Sequence, residues 1–236
     1  MHELLISITN SAKQTMQAQA INAHNLANAA TEGFKSEIAY YAALDPKGDI
    51  SSIPDLSPGT VRATGRDLDV SINGAGWIAV MAEDGTEAYS RRGDLHVDAF
   101  GQLTNGSGQA IMGNNGPIAL PPFGSLEIGS DGTISVLPLG QTPNTIAVVD
   151  RIKLVSLEEN QVLRGTDGLI RMPDGFPVEA DSSIEVLSGM LEGSNVNVVG
   201  EMVKMIDLAR RFESEIKLMA SAKENSAALA KIMSMN

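Results

Sequence analysis

The 236-residue chain contains no cysteine, which excludes thiol catalysis, disulfide staples and zinc–thiolate centres. Its three histidines, His2, His24 and His96, are scattered, so a metal site would have to draw carboxylates from distant parts of the chain. No metal or cofactor is expected. Positive charge is scarce as well: 17 basic against 29 acidic residues leave a net charge of −12, which repels phosphate backbones and anionic headgroups. Nucleic acid is therefore not an expected partner. No run approaches about 18 consecutive apolar residues, so no membrane insertion is expected. Nor does the N-terminus read as a cleavable signal, because Glu3 stands where basic residues belong and Ser7 interrupts the run from Leu4 to Ile8.

The two ends lack helix breakers. All 23 glycines fall between Gly33 and Gly200, and all 10 prolines between Pro46 and Pro177. Glycine costs about 1 kcal/mol and proline about 3 kcal/mol inside a helix, so the clean ends predict two long helices. On the first, Leu5, Ile8, Ala12, Met16, Ala20, Ala23 and Ala27 form a narrow stripe at helical spacing, and Gly33 is expected to end it as a left-handed cap. On the second, Val198, Met202, Met205, Ala209, Phe212, Ile216 and Met219 alternate steps of four and three, a heptad seam that Ala230 and Met233 resume. Acid-before-base pairs are expected between Asp207 and Arg211 and between Glu213 and Lys217.

Between the ends, Asp84-Gly85, Asn105-Gly106, Asp131-Gly132, Asp167-Gly168 and Asp174-Gly175 punctuate strand-like runs such as Trp77–Met81 and Ile146–Val149. The fold class expected is α+β: a discontinuous, coiled-coil-like helical domain from residues 1–33 and 198–236, an extended connector over 34–65 holding Asp45–Asp49 and one or two strands, and a β-rich domain over 66–197. Charge follows the same division. Residues 1–32 carry one base and two acids and residues 201–236 carry six bases and five acids, so the remaining 10 bases and 22 acids place the whole −12 in the middle. Near-neutral ends flanking an acidic middle point to ends buried in an assembly.

Motifs with catalytic associations have plainer readings. Gly74-Ala75-Gly76-Trp77-Ile78-Ala79 fits a loose dinucleotide fingerprint, yet a strand follows it rather than a helix, so a tight turn is expected. Asp67 and Asp69 could pair as carboxylates, although alternation on a solvated strand face explains them. Arg92-Gly93-Asp94 is expected to make a turn, and Asn105-Gly106-Ser107 is a hairpin signal before it is a glycosylation site. No nucleophile elbow or phosphate loop occurs. The helical stripes could simply pair within one molecule. That pairing leaves Leu4, Ile21, Leu26, Val199, Leu208, Leu218, Leu229 and Ile232 outside the seams and requires a second packing layer, most simply other subunits.

Five ordered segments resemble a known family. Asn25–Lys35 (NLANAATEGFK) is similar to the signature closing the N-terminal helix of bacterial flagellar rod and hook proteins, and Thr64–Val70 with Gly74–Trp77 to the entry of their β domain. Glu87–Gly93, Gly101–Leu103 and Leu191–Asn197 continue the match along essentially the whole chain. Length and the segment Arg151–Val155 are most similar to the proximal-rod members, with distal-rod members second. The opening Met1–Ile6, Ala30 and Asp67 depart from the family's usual residues. The resemblance implies a non-enzymatic subunit of the basal-body rod, partnered by its own copies and by other rod subunits. It further implies export, without a cleaved signal, through the flagellar type III apparatus to a periplasmic rod that carries torque. The competing class is an enzyme or binding module whose β domain works while the helices oligomerise it; an adhesin-like stalk would need a conventional signal.

Overall fold

The computed structural model describes residues 2–41, 50–140, 145–157 and 162–233. The expected turn at Asp45–Asp49 lies outside the described residues, as do the side chains of Ala230 and Met233. The chain divides into two compact units. Unit 1 comprises residues 1–29, 37–55 and 196–236, and unit 2 comprises residues 30–36 and 56–195.

Unit 1 holds helix α1 (His2–Ala27), the antiparallel hairpin β1 (Glu37–Tyr41) and β2 (Ile50–Pro54), and helix α2 (Val198–Met233). Both helices occupy the ends of the chain, where proline is missing and the single glycine is Gly200 in the first turn of α2. The first stops six residues before Gly33, however, because the backbone turns at Asn28, whose side-chain amide donates to the His24 carbonyl at 2.9 Å. Gly33 is left-handed (φ 67°) for another reason: a Cβ there would come within 2.4 Å of the Arg91 backbone. Asn197 caps α2, its side-chain oxygen accepting from the Gly200 amide at 3.0 Å. At 1.5 Å per residue its 36 residues make α2 about 54 Å long.

Unit 2 is built from β3 (Val61–Ala63), β4 (Val70–Asn73), β5 (Trp77–Met81), β6 (Glu87–Ser90), β7 (Leu95–Val97), β8 (Leu103–Asn105), β9 (Ala110–Gly113), β10 (Gly116–Pro117), β11 (Phe123–Ile128), β12 (Thr133–Pro138), β13 (Ala147–Arg151), β14 (Leu154–Val155), β15 (Leu163–Arg164), β16 (Ile170–Arg171), β17 (Glu185–Ser188) and β18 (Met190–Glu192). The largest sheet runs β15-β16-β6-β5-β9-β8-β7, with β14 joining β5 and β10 joining β9; β11-β12-β13 form a second sheet, and β17 pairs β4 as β18 pairs β3. The α+β expectation holds. Central strand β5 is buried on both faces. Ile78 and Val80 join the main core with Val70, Leu95, Leu103, Ile111 and Ile134, while Trp77 and Ala79 face a smaller cluster of Tyr89, Val155, Val162 and Ile170. Such two-sided burial turns alternation into a continuous apolar run.

Four of the five Asn-Gly or Asp-Gly signals lie in hairpins, joining β5 to β6, β8 to β9, β11 to β12 and β15 to β16. Three share one device. The Asp carboxylate caps the amide two residues on, as from Asp84 to Thr86 at 2.9 Å and Asp131 to Thr133 at 3.0 Å, and the following glycine closes a three-residue-back hydrogen bond. Asp174-Gly175 turns the chain outside any paired hairpin.

Candidate assembly surfaces

The buried face of α2 is a heptad series: Glu201, Met205, Leu208, Phe212, Glu215, Met219 and Ala222 are buried or half-buried at steps of four and three. It faces an α1 series of Ala12, Thr15, Ala18 and Asn22, extended by half-buried Leu5, Ile8 and Ser11, while buried Asn25 is paired with the Glu37 backbone, donating and accepting at 2.8 Å. The helices are antiparallel, since Asn22 donates to Glu201, Ser11 and Thr15 donate to Glu215 at 2.6 and 3.2 Å, and Thr9 lies 3.7 Å from the Met219 sulfur. The seam therefore mixes polar groups, chiefly Glu201, Glu215, Ser11, Thr15 and Asn22, with half-buried apolar ones.

The apolar stripes read from the sequence coincide with it only in part. Met205, Phe212 and Met219 share the inner face, as do Leu5, Ile8 and Ala12. Val198, Met202, Ala209 and Ile216 turn outward on α2, and Met16, Ala20, Ala23 and Ala27 on α1. Met16 is 56% exposed and Met202 51%. Arg211 pairs with Glu215 at 3.3 Å, not with Asp207, because the half-enclosed carboxylate has more to gain from a cation; Lys217 does pair with Glu213 at 2.7 Å.

In unit 2, three of the family-like segments converge on one buried ionic cluster. The Lys35 ammonium lies 2.7 Å from one Glu192 oxygen and the Arg91 guanidinium 3.1 Å from the other, with all three side chains at most 6% exposed. Glu192 also accepts the Gly59 amide at 2.8 Å, and Lys35 donates to the Ser57 carbonyl at 2.8 Å. Burial pushes the Arg91 pKa down, opposed by Glu192. Around the cluster the backbone is sewn together: Gly33 donates to the Glu192 carbonyl at 2.7 Å, Asn195 to Phe34 at 3.3 Å, and Gly193 to Thr60 at 2.8 Å. Arg164 stacks on Phe34 at 4.7 Å and bonds the Lys35 carbonyl at 2.7 Å. The sequence offered no role for Lys35, Arg91 or Glu192 singly; the signal was that each sits inside a family-like segment.

A groove of about 420 Å³ borders the cluster, lined chiefly by Leu56, Val61, Ile72, Trp77, Leu157 and Leu187. Apart from Arg91 and Glu192, which already hold each other, it presents no ionisable side chain. Among the described residues no group of three His, Asp or Glu is placed to hold a metal. Asp67 and Asp69 do not share a solvated face: Asp67 is exposed, whereas Asp69 is buried with Arg66 3.4 Å away, because the chain turns there before β4 begins. The Gly74–Gly76 segment is the tight turn from β4 into β5, and Arg92 clamps Asp94 at 2.7 Å. No described helix is long and apolar enough to cross a membrane.

Comparison with known proteins agrees with this anatomy. Residues 71–136 match the family model described as flagellar hook protein FlgE/F/G D1 domain, and residues 187–232 match that of the flagellar basal body rod FlgEFG protein C-terminal region. The chain is 39% identical to the flagellar basal-body rod protein FlgF of Escherichia coli and 40% identical to that of Salmonella typhimurium, each over 100% of both chains. To the flagellar basal-body rod protein FlgG of Buchnera aphidicola it is 32% identical over 87% of this chain and 91% of the relative. The chain belongs to the flagellar rod and hook family. Within it, the full-length match is to FlgF and the shorter, weaker one to FlgG, so the chain is a structural subunit of the flagellar basal-body rod and not an enzyme.

Proposed function

We propose that this rod subunit polymerises through its terminal helices, with the outward apolar faces of α1 and α2 packed against neighbouring subunits in the proximal rod. The carrying observation lies in unit 1, where carboxylates and amides take up part of the seam between the two helices while Met16, Val199, Met202, Val203, Ile206, Ile216 and Leu218 lie exposed outside it. Burying such side chains gives about 1.5–3 kcal/mol each, a gain open only to an assembly. Its partners are its own copies and other rod subunits. It reaches a periplasmic rod through the flagellar type III export apparatus, a reading supported by the family and by helices that gain their partners on arrival. The rod so formed transmits torque.

The test is Met202→Asp combined with Ile216→Asp, both on the outer face of α2. The variant is expected to be synthesised and exported normally, to leave the unit 2 melting transition unchanged, and to abolish motility, with basal bodies lacking a complete rod by electron microscopy. Normal rods built from the doubly charged variant would refute the assignment.

A further inference from the structure

Two carboxylates, Glu201 and Glu215, occupy equivalent heptad positions fourteen residues apart on the inner face of α2, where a helix pair ordinarily places leucine. Both are buried, at 9% and 8% exposure. Each is met by polar side chains of α1: Asn22 donates to Glu201, and Ser11 and Thr15 converge on Glu215. Each also has one cation on its own helix, Lys204 at 2.8 Å and Arg211 at 3.3 Å. The arrangement is costly. The second Glu215 oxygen and the Asn22 side-chain oxygen are buried and find no hydrogen-bond donor among the described residues. Leucine at both positions would give a stronger pair, so stability does not account for the glutamates.

We propose that Glu201 and Glu215 are register pins, which fix the one antiparallel alignment of α1 against α2. Sliding α2 by one heptad toward the N-terminal end of α1 takes Glu215 away from the Ser11 and Thr15 hydroxyls to the level of Leu5 and Ile8. Sliding it the other way gives Glu215 the Asn22 amide in place of the Ser11 and Thr15 hydroxyls, but carries Glu201 past Ala27, where α1 ends. Only the observed alignment serves both carboxylates. The alanine-rich α1 stripe could not supply this discrimination, because small apolar side chains fit one heptad step nearly as well as the next. The pins act within one chain, so they stand or fall independently of the subunit-assembly reading.

Because the chain has no cysteine, a pair can be introduced without background. In the full-length protein, with trimethylamine N-oxide added to favour the folded helices, Thr9→Cys with Met219→Cys reports the observed alignment to a short bis-maleimide. Met16→Cys or His2→Cys with Met219→Cys reports a slip of one heptad in either direction, about 10 Å. The native reporter is expected to cross-link at least about tenfold faster than either slipped one, the factor that follows from stranding one glutamate's hydrogen bonds. Adding Glu201→Leu and Glu215→Leu should tighten the pair and bring a slipped reporter to within about twofold of the native one, whereas Glu215→Gln, which still accepts from Ser11 and Thr15, should keep most of the preference. A leucine variant with the native preference intact, or absence of the native cross-link with the glutamates in place, would overturn the proposal.

Discussion

The two units bury their side chains in opposite ways. Unit 2 encloses a conventional core in which valine, isoleucine and leucine fill both faces of β5, and its few buried charges are paired. In unit 1 the buried hydrophobic residues among those described are three alanines, Ala12, Ala18 and Ala222, and what else is buried there is Thr15, Asn22, Asn25, Glu201 and Glu215. Many of its larger apolar groups, including Ile38, Tyr40 and Ile53 of the β1–β2 hairpin, are at the surface, and those on the inner face, such as Phe212 and Met219, are only half-buried. The difference teaches that unit 2 encloses a full apolar core within one copy, whereas unit 1 leaves much of its apolar surface exposed.

The sharpest way to break this comparison is Glu192→Ala, which leaves the Lys35 and Arg91 charges without their shared carboxylate in a closed interior. A loss of about 3–5 kcal/mol is expected, confined to the unit 2 transition in chemical denaturation of the full chain. A loss below about 1 kcal/mol would mean that the cluster is solvated in solution. Phe212→Asp strikes unit 1 instead. Phe212 lies half-buried on the inner face of α2, so the charge weakens the α1–α2 pair itself, and failed rod assembly and lost motility are expected with the unit 2 melt unchanged.

The exposed apolar faces predict a third result. In dilute monomer, amide hydrogen exchange should be fast over residues 5–27 and slow over β5, β6 and β9, a contrast of several orders of magnitude in protection. Strong protection of α1 in a verified monomer would erase the distinction between the units.

These outcomes depend on faces that the sequence disclosed unevenly. Both helices were legible because glycine and proline are confined to the middle, and the hairpins because Asp-Gly turns carry their own capping group. The inner face of unit 1 was not. An apolar stripe is the ordinary sign of a seam, and here the seam runs through Thr15, Asn22, Glu201 and Glu215, residues that hydropathy assigns to solvent. The same blindness applied to the ionic cluster: Lys35, Arg91 and Glu192 are separated by 56 and 101 residues, and a lone charge in sequence gives no sign of burial. The end of α1 was misjudged because Gly33 serves a close backbone contact with Arg91 rather than a helix cap.

The smallest predicted effect sharpens the description of unit 2 alone. Tyr89 is buried, accepts from the Val178 amide at 2.8 Å and donates to Glu87 at 3.0 Å, and burial raises its pKa to about 12. The unfolded phenol ionises near 10, so between about pH 10 and 12 the folded state holds a proton that the unfolded state has released, and stability falls as pH rises through that window. Absorbance titration should show a late-ionising phenol, and Tyr89→Phe should remove that phase. A late phase that survives the substitution would refute the assignment to Tyr89.

The chain passes between the units four times, after residues 29, 36, 55 and 195. Within unit 2 the flanking segments 33–36, 57–60 and 192–195 are bonded directly to one another around Glu192. Each excursion of the backbone thus begins and ends at almost the same point, the topology of one module spliced into the loop of another. A module with adjacent ends can be lengthened, exchanged or lifted out without changing the spacing that its host must span. Residues 30–36 joined by a short linker to 56–195 should therefore fold as unit 2 with the ionic cluster intact, and the same segment should be transplantable into a loop of an unrelated protein. Such a connection permits unit 2 to vary in size while unit 1 keeps one fixed spacing between its segments.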